Sequence, residues 1–189
     1  MQKVILASGS PRRREILELA GVPFEVFPAD GEQAPAGLSP QDYALALAKS
    51  KADAVAARFP DRVVLGADTV VVRDQTVLGK PRDEQDAVDM LLSLQGRTHQ
   101  VITAVFVCAP QGREGFAAET AVEFYPMTRA EAQAYVATGE PMDKAGSYAI
   151  QGYGMRFIRR IEGDFYTVMG LPGAATRRFL EKFLDFSDG

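Results

Sequence analysis

The chain has 189 residues, 47% of them hydrophobic and 24% charged, with a formal net charge of −4. This is the composition of a folded protein with a sizeable core, long enough for one domain or for two small lobes around a shared sheet, and it excludes a disordered chain. A net negative charge gives no global attraction to nucleic acid or to an anionic membrane, so any anion binding must rest on a local cluster.

The elements follow in chain order. Lys3 to Ala7 reads as a short buried strand, Ser8-Gly9-Ser10 as a turn, and Pro11 as the first residue of a helix capped by Ser10 and ended by Gly21. Phe24 to Phe27 is a second strand, and residues 29–38 are a polar loop. Ser39-Pro40 opens a second helix, with Asp42 in a capping-box position and Leu45, Ala48, Ala52 and Val55 at helical spacing. Valine-rich Arg62 to Arg73 is a central strand that turns at Asp74-Gln75 and returns through Thr76 to Leu78. Asp83 to Gln95 is a third helix closed by Gly96. Thr98 to Ala109 and Phe116 to Phe124 form a hairpin over the turn Pro110 to Gly115. Thr128-Arg129-Ala130-Glu131 is a capping box for a helix that stops near Gly139. Glycine-rich Gly146 to Gly154 precedes a strand at Arg156 to Ile161, and Leu171-Pro172 leads into a last helix up to about Leu184. Alternating strands and helices with some hairpins predict an α/β fold on a mixed sheet, with residues 1–189 as a single domain.

Several residue types are scarce. His99 is the only histidine, Cys108 the only cysteine, and asparagine is absent. Histidine- or thiolate-rich zinc sites, an internal disulfide and a glycosylation sequon are therefore excluded. No apolar run spans a bilayer, and the basic residues of the N-terminus follow its apolar stretch, the reverse of a secretory signal. The expected setting is cytoplasmic, with no membrane or nucleic-acid partner. Carboxylates, lysines, arginines and backbone amides remain for chemistry, a set suited to a phosphate substrate and an oxygen-loving divalent cation.

Four places can carry that chemistry. In Ser8-Gly9-Ser10-Pro11-Arg12-Arg13-Arg14, a strand, a small-residue turn and a helix start gather backbone N–H groups. Three arginines oppose the helix dipole there, a conflict that a bound phosphate removes. The alternative is a basic solvated surface. Asp68 interrupts the apolar strand Val63–Val72, where a buried carboxylate needs a partner: a basic side chain for structure, or a metal or proton-transfer role. Gly66, two residues earlier on the same face, leaves room for a ligand, whereas Thr69 points the other way unless the strand bends. Lys80, between Gly79 and Pro81, suits a phosphate contact or is a plain loop lysine. Lys51 reaches from the second helix into a cleft or lays its stem over the core. Asp30 and Glu32 either offer Mg²⁺ oxygens together with Asp68 or are solvated loop carboxylates. In the stretch from Asp143 to Gly154, the glycines around Gln151 let an amide approach the edge of a base, or else form a structural turn. His99 is read as packing in, or beginning, a strand without a catalytic role, and Cys108 as a small core residue.

The segments Ser8–Arg13, Ala48–Ala52, Gly66–Thr69, Gly79–Pro81, Gly96–His99, Lys144–Gly146, Gln151-Gly152 and Gly163-Asp164 to Gly170-Leu171-Pro172 occur in this order. The chain closely resembles the Maf family of nucleoside triphosphate pyrophosphatases over nearly its whole length. The resemblance implies an elongated, twisted mixed sheet flanked by helices around a central cleft, similar to the inosine triphosphatase fold, often in a homodimer. It implies attack of water on the α-phosphorus, releasing the monophosphate and pyrophosphate. It gives Asp68 as the proton acceptor and Arg12, Thr69 and Gln151 as positions tied to substrate choice. Ser8, Arg13, Lys51 and Lys80 match phosphate-binding positions, and Glu32 a further acidic one. Ala149-Ile150-Gln151-Gly152 looks like the branch acting on dTTP, UTP and modified uridine triphosphates, in a housecleaning role; the family has also been linked to septum formation and division arrest.

The expected mechanism places Mg²⁺ or Mn²⁺ between phosphate oxygens and Asp68, with Glu32 as a second metal contact, while Asp68 takes a proton from water. Two alternatives stand beside it: a non-catalytic nucleotide-binding regulator of cell division, and the same reaction on 7-methyl-GTP or another purine triphosphate.

Overall fold

The computed structural model describes residues 3–29 and 34–186. The described chain runs β1 (Val4–Leu6), α1 (Pro11–Leu19), β2 (Phe24–Val26), α2 (Pro40–Ala56), β3 (Val64–Arg73), β4 (Thr76–Leu78) and α3 (Glu84–Leu94). It continues with β5 (Thr98–Ala109), β6 (Gly112–Phe124), α4 (Arg129–Val136), β7 (Ile158–Glu162), α5 (Phe165–Met169) and α6 (Gly173–Leu180). Short 3₁₀ turns at Glu140–Asp143, Ala145–Ser147 and Tyr153–Phe157 lie between α4 and β7. The strands form one mixed sheet in the order β2-β1-β3-β5-β6-β7, with β4 paired to β3. The expected mixed-sheet α/β class is the one found.

Local chemistry explains most of these elements. β1 pairs parallel with both β2 and β3, Leu6 lying opposite Val26 and Leu65. Parallel neighbours need crossover connections, which α1 and α2 supply. The Ser39 hydroxyl accepts the Asp42 N–H at 3.1 Å at the start of α2, and Thr128 and Glu131 close a reciprocal capping box on α4. β3 turns into β4 through Asp74 and Gln75, with φ of 48° and 66°. These are the two left-handed positions that suit a tight hairpin to twisted strands.

Some boundaries differ from the sequence expectation. Ser10 makes no side-chain cap to α1; its own N–H turns back to the Ser8 hydroxyl at 3.3 Å. β6 begins at Gly112 rather than Phe116, because ladder pairing continues through polar residues down to a two-residue turn. Arg156 and Phe157 belong to a 3₁₀ turn, and α6 stops at Leu180. Helix α5 was not expected; its five residues are too few to show a helical period.

Contacts divide the chain into two compact units. One holds the residues through Asp68, with Thr103–Ala118 and the residues from Gly170 on; the other holds Thr69–Ile102 and Glu119–Met169. In the first, Ile5, Leu6, Ile16, Leu17, Ala48, Ala52 and Leu65 are buried in the core. In the second, Leu91, Leu94, Val101, Phe124, Tyr135 and Phe157 belong to one buried cluster. No helix among the described residues is long and apolar enough to cross a membrane.

Candidate active site

The site begins with a glycine. A Cβ built on Gly66 in β3 would fall on the Ala48 carbonyl oxygen and lie 2.8 Å from the Ala52 nitrogen. Helix α2 therefore rests its backbone directly on the strand. The space beside Gly66, expected to admit a ligand, is filled by α2, which corrects that reading. Close packing also sets the height of the next turn. Lys51 is carried inward, and its Nζ reaches Asp68 Oδ1 at 2.6 Å, with the Ala67 carbonyl at 3.5 Å. Asp68 is 8% exposed and Lys51 7%. The ammonium does not snorkel to water; it turns inward and answers the strand's buried carboxylate.

β1, the neighbour of β3 in the sheet, leads into the β1–α1 turn. Ala7 N–H donates to the Leu65 carbonyl at 2.8 Å. The β1–β3 ladder pairs Leu6 with Leu65, and Ser8 follows just after Ala7, where β1 has ended and β3 continues to Arg73. Ser8 is buried, and its hydroxyl accepts Arg13 Nη1 at 3.0 Å. Arg13 Nε donates to the Gly170 carbonyl at 2.9 Å. One planar guanidinium thus ties the turn after β1 to the segment before α6, which a lysine's point charge does not reproduce. Arg12 and Arg14 are half-buried on the same first turn of α1, which contains no acidic residue. Ser8, Arg12, Arg13, Lys51 and Asp68 are all in the first unit.

Asp30 and Glu32 fall outside the described residues. Thr69, half-buried, follows Asp68 in a strand that runs on to Arg73, so alternation turns its side chain to the opposite face. Lys80 is exposed; the preceding Gly79 accepts the Gly146 N–H at 3.0 Å, which pins its loop to the Lys144–Ser147 turn. Gln151 is exposed on the following turn.

Sequence reasoning missed the groups that shape that turn. Glu140 Oε1 accepts the Tyr153 N–H at 2.8 Å, and Oε2 accepts the Gly154 N–H at 3.0 Å and the Tyr135 hydroxyl at 2.6 Å. A Cβ on Gly152 would fall on Glu140 Oε1. Gly152 is thus required by a carboxylate of the protein itself, not by an approaching base: of the two alternatives, the structural turn is the one found. Sequence offered one hint, the aromatic Tyr135 on the apolar face of α4, but nothing marked Glu140. His99 is packed rather than superficial: Nε2 lies 2.8 Å from the Tyr148 hydroxyl, and burial pushes its pKa down to about 4. Cys108 is buried as expected, its thiol pushed up to about 12 by burial and by Asp53, whose Oδ1 it faces at 3.2 Å.

No group of three or more His, Cys, Asp or Glu among the described residues could hold a metal by itself. Mg²⁺ commonly needs only one or two carboxylates when phosphate oxygens and water complete its shell. Asp68, a buried carboxylate whose Oδ1 is taken by Lys51 while Oδ2 takes no side-chain bond among the described residues, fits an ion of that kind carried on a phosphate substrate.

This site and sheet define an α/β protein with a buried acid–base pair on β3 and α2 and a basic turn after the neighbouring strand β1. The family model described as Maf-like protein matches residues 3–183, and the chain belongs to that family. Proteins named dTTP/UTP pyrophosphatase from Bacillus cereus (strain AH820) and Bacillus anthracis are 50% and 49% identical to it over 184 residues, spanning 97% of this chain and 96% of theirs. The Staphylococcus aureus Ham1 protein shares the fold, with a TM-score of 0.55 and 13% identity over 96% of this chain and 99% of that one.

Proposed function

We propose that this chain is a nucleoside triphosphate pyrophosphatase that hydrolyses dTTP and UTP, with modified pyrimidine triphosphates, to the monophosphate and pyrophosphate. The observation that carries the reading is the buried Lys51–Asp68 pair, in the same compact unit as the arginine turn of α1, in a chain about half identical to proteins named dTTP/UTP pyrophosphatase. A buried carboxylate repels a polyphosphate, so a protein that only bound nucleotides would gain nothing from it; a protein that must take a proton from water would.

In this reading Asp68 accepts the proton of the water that attacks the α-phosphorus. Lys51 holds the carboxylate in place and lies beside the phosphates. Arg12, Arg13 and Ser8, with the N-terminal amides of α1, bind phosphate oxygens and stabilise the charge that builds on the leaving pyrophosphate. On the family resemblance, Lys80 is a further phosphate contact and Thr69 and Gln151 take part in choosing the base. An amide at Gln151 can donate to O4 and accept from N3–H of uracil or thymine. Mg²⁺ or Mn²⁺ held by Asp68, with Glu32 as a second carboxylate, would lower the pKa of a bound water and screen phosphate charge. The setting proposed is the cytoplasm, with residues 1–189 acting as one domain in a homodimer.

The test is a panel of standard and modified triphosphates with Mg²⁺, scoring pyrophosphate against orthophosphate. Pyrophosphate as first product, fastest from dTTP and UTP, is expected. Orthophosphate as first product means attack at the γ-phosphorus, and nucleotide binding without hydrolysis means a regulator; either overturns the reading.

A further inference from the structure

The turn that carries Gln151 is held from beneath by two side chains remote from it in sequence. Tyr135, fully buried on α4, places its hydroxyl between two partners: it accepts the Ala149 N–H at 3.1 Å and donates to Glu140 Oε2 at 2.6 Å. Glu140 then accepts the N–H groups of Tyr153 and Gly154. The backbone is thus fastened just before Gln151 and just after it, by a single hydroxyl–carboxylate unit. The glycines on either side are shaped to that unit. A Cβ on Gly152 would fall on Glu140, and one on Gly154 would lie 2.8 Å from the Tyr135 hydroxyl. Ala149 and Ile150 are buried, whereas Gln151 is exposed at the tip. Burial alone would raise the Glu140 pKa, but the Tyr135 hydroxyl and the two amides outweigh it and hold the carboxyl below its ordinary range. A charged acceptor on three converging donors is a stronger anchor than neutral hydrogen bonds.

We infer that Glu140 and Tyr135 are positioning residues that pre-set the Gln151 turn for base selection, acting through the backbone without touching the substrate. This rests on the reading of Gln151 as a base contact. A preformed turn spares the ordering cost when a base binds, so loosening it weakens binding of the preferred base more than it slows chemistry.

The experiment compares Glu140→Gln, Tyr135→Phe and Gln151→Ala with the parent protein. It reads kcat and KM for dTTP and for dATP, and amide hydrogen exchange over residues 149–154. Glu140→Gln and Tyr135→Phe are expected to lower the dTTP-over-dATP ratio of kcat/KM about tenfold, as for a lost charge-assisted hydrogen bond, chiefly through KM, with faster exchange at Tyr153 and Gly154. An unchanged ratio in both variants, with Gln151→Ala lowering it, overturns the positioning role and leaves the base reading standing. An unchanged ratio in Gln151→Ala removes the base reading and the inference with it. Should Glu140→Gln fail to fold, Tyr135→Phe carries the comparison. Should both fail, exchange in the parent protein decides: slow Tyr153 and Gly154 amides before nucleotide is added support a preset turn, and fast ones refute it.

Discussion

Lys51 Nζ lies 2.6 Å from Asp68 Oδ1, and both side chains are nearly sealed from water. Each charge compensates the other's burial, so removing one partner strands the other. Lys51→Met should cost about 3–5 kcal/mol of stability in chemical denaturation. The double replacement Lys51→Met/Asp68→Leu should recover most of that loss while remaining inactive. Equal stability of the single and double variants would show that the pair is not the source of the cost.

Asp68→Asn removes proton-accepting ability while keeping size and a hydrogen bond to Lys51. Turnover is expected to fall by about two orders of magnitude or more, the scale of a positioned base, with nucleotide affinity largely retained. Single-turnover kinetics beside equilibrium binding separate the two quantities. A near-parental rate would remove Asp68 from the chemistry.

Gly66 has no space for a methyl group, because the Ala48 carbonyl and the Ala52 nitrogen occupy it. Gly66→Ala must push α2 off β3, at a cost of roughly 1–3 kcal/mol for overpacking, and carries Lys51 away from Asp68. A urea midpoint and a rate on the same sample check both effects. A variant with full stability would mean that the helix yields at no cost.

His99 gives the stability a pH dependence of known sign. Burial lowers its folded pKa to about 4, against 6.5 ordinarily. Above pH 6.5 the imidazole is neutral in both states. Between 6.5 and 4 the unfolded chain takes the proton while the folded one resists, so stability falls as the pH drops and levels off below 4. This contribution amounts to on the order of 3 kcal/mol. His99→Gln should flatten the stability profile across that window, measured by denaturant unfolding at each pH; an unaltered slope would exclude His99 as its source.

Cys108 should be inert in the native protein. With its thiol pushed up to about 12 and its side chain buried, almost no thiolate exists at pH 8. Alkylation by iodoacetamide is expected to be slow when folded and rapid in urea. Fast labelling of the folded protein would contradict the packing around Asp53.

Strand and helix order could be read from hydrophobic period, glycine punctuation and caps, and the site's leading residue from a single misfit. Asp68 stood out because a carboxylate in an apolar strand must be answered by something. What answers it was not readable: Lys51 is separated from Asp68 by 17 positions in the chain, and a lysine next to apolar helix positions looks the same whether it bends to water or to a buried acid. Arg13 was marked by its neighbours, but its bond to the Gly170 carbonyl spans 157 positions. The glycines at 66 and 152 were visible as openings, yet a glycine in sequence does not say whether a ligand or the protein's own backbone fills the gap.

By itself, then, the amino-acid order determined the mixed α/β architecture, the capped helices, the basic turn after β1 and the requirement that Asp68 have a partner, since these depend on local sterics and on the cost of burying charge. The choice of partner, the seat of α2 on Gly66 and the anchoring of the Gln151 turn on Glu140 and Tyr135 were decided only in three dimensions. Close packing and hydrogen-bond geometry act between residues that the chain brings together, and nothing in their local sequence encodes that meeting.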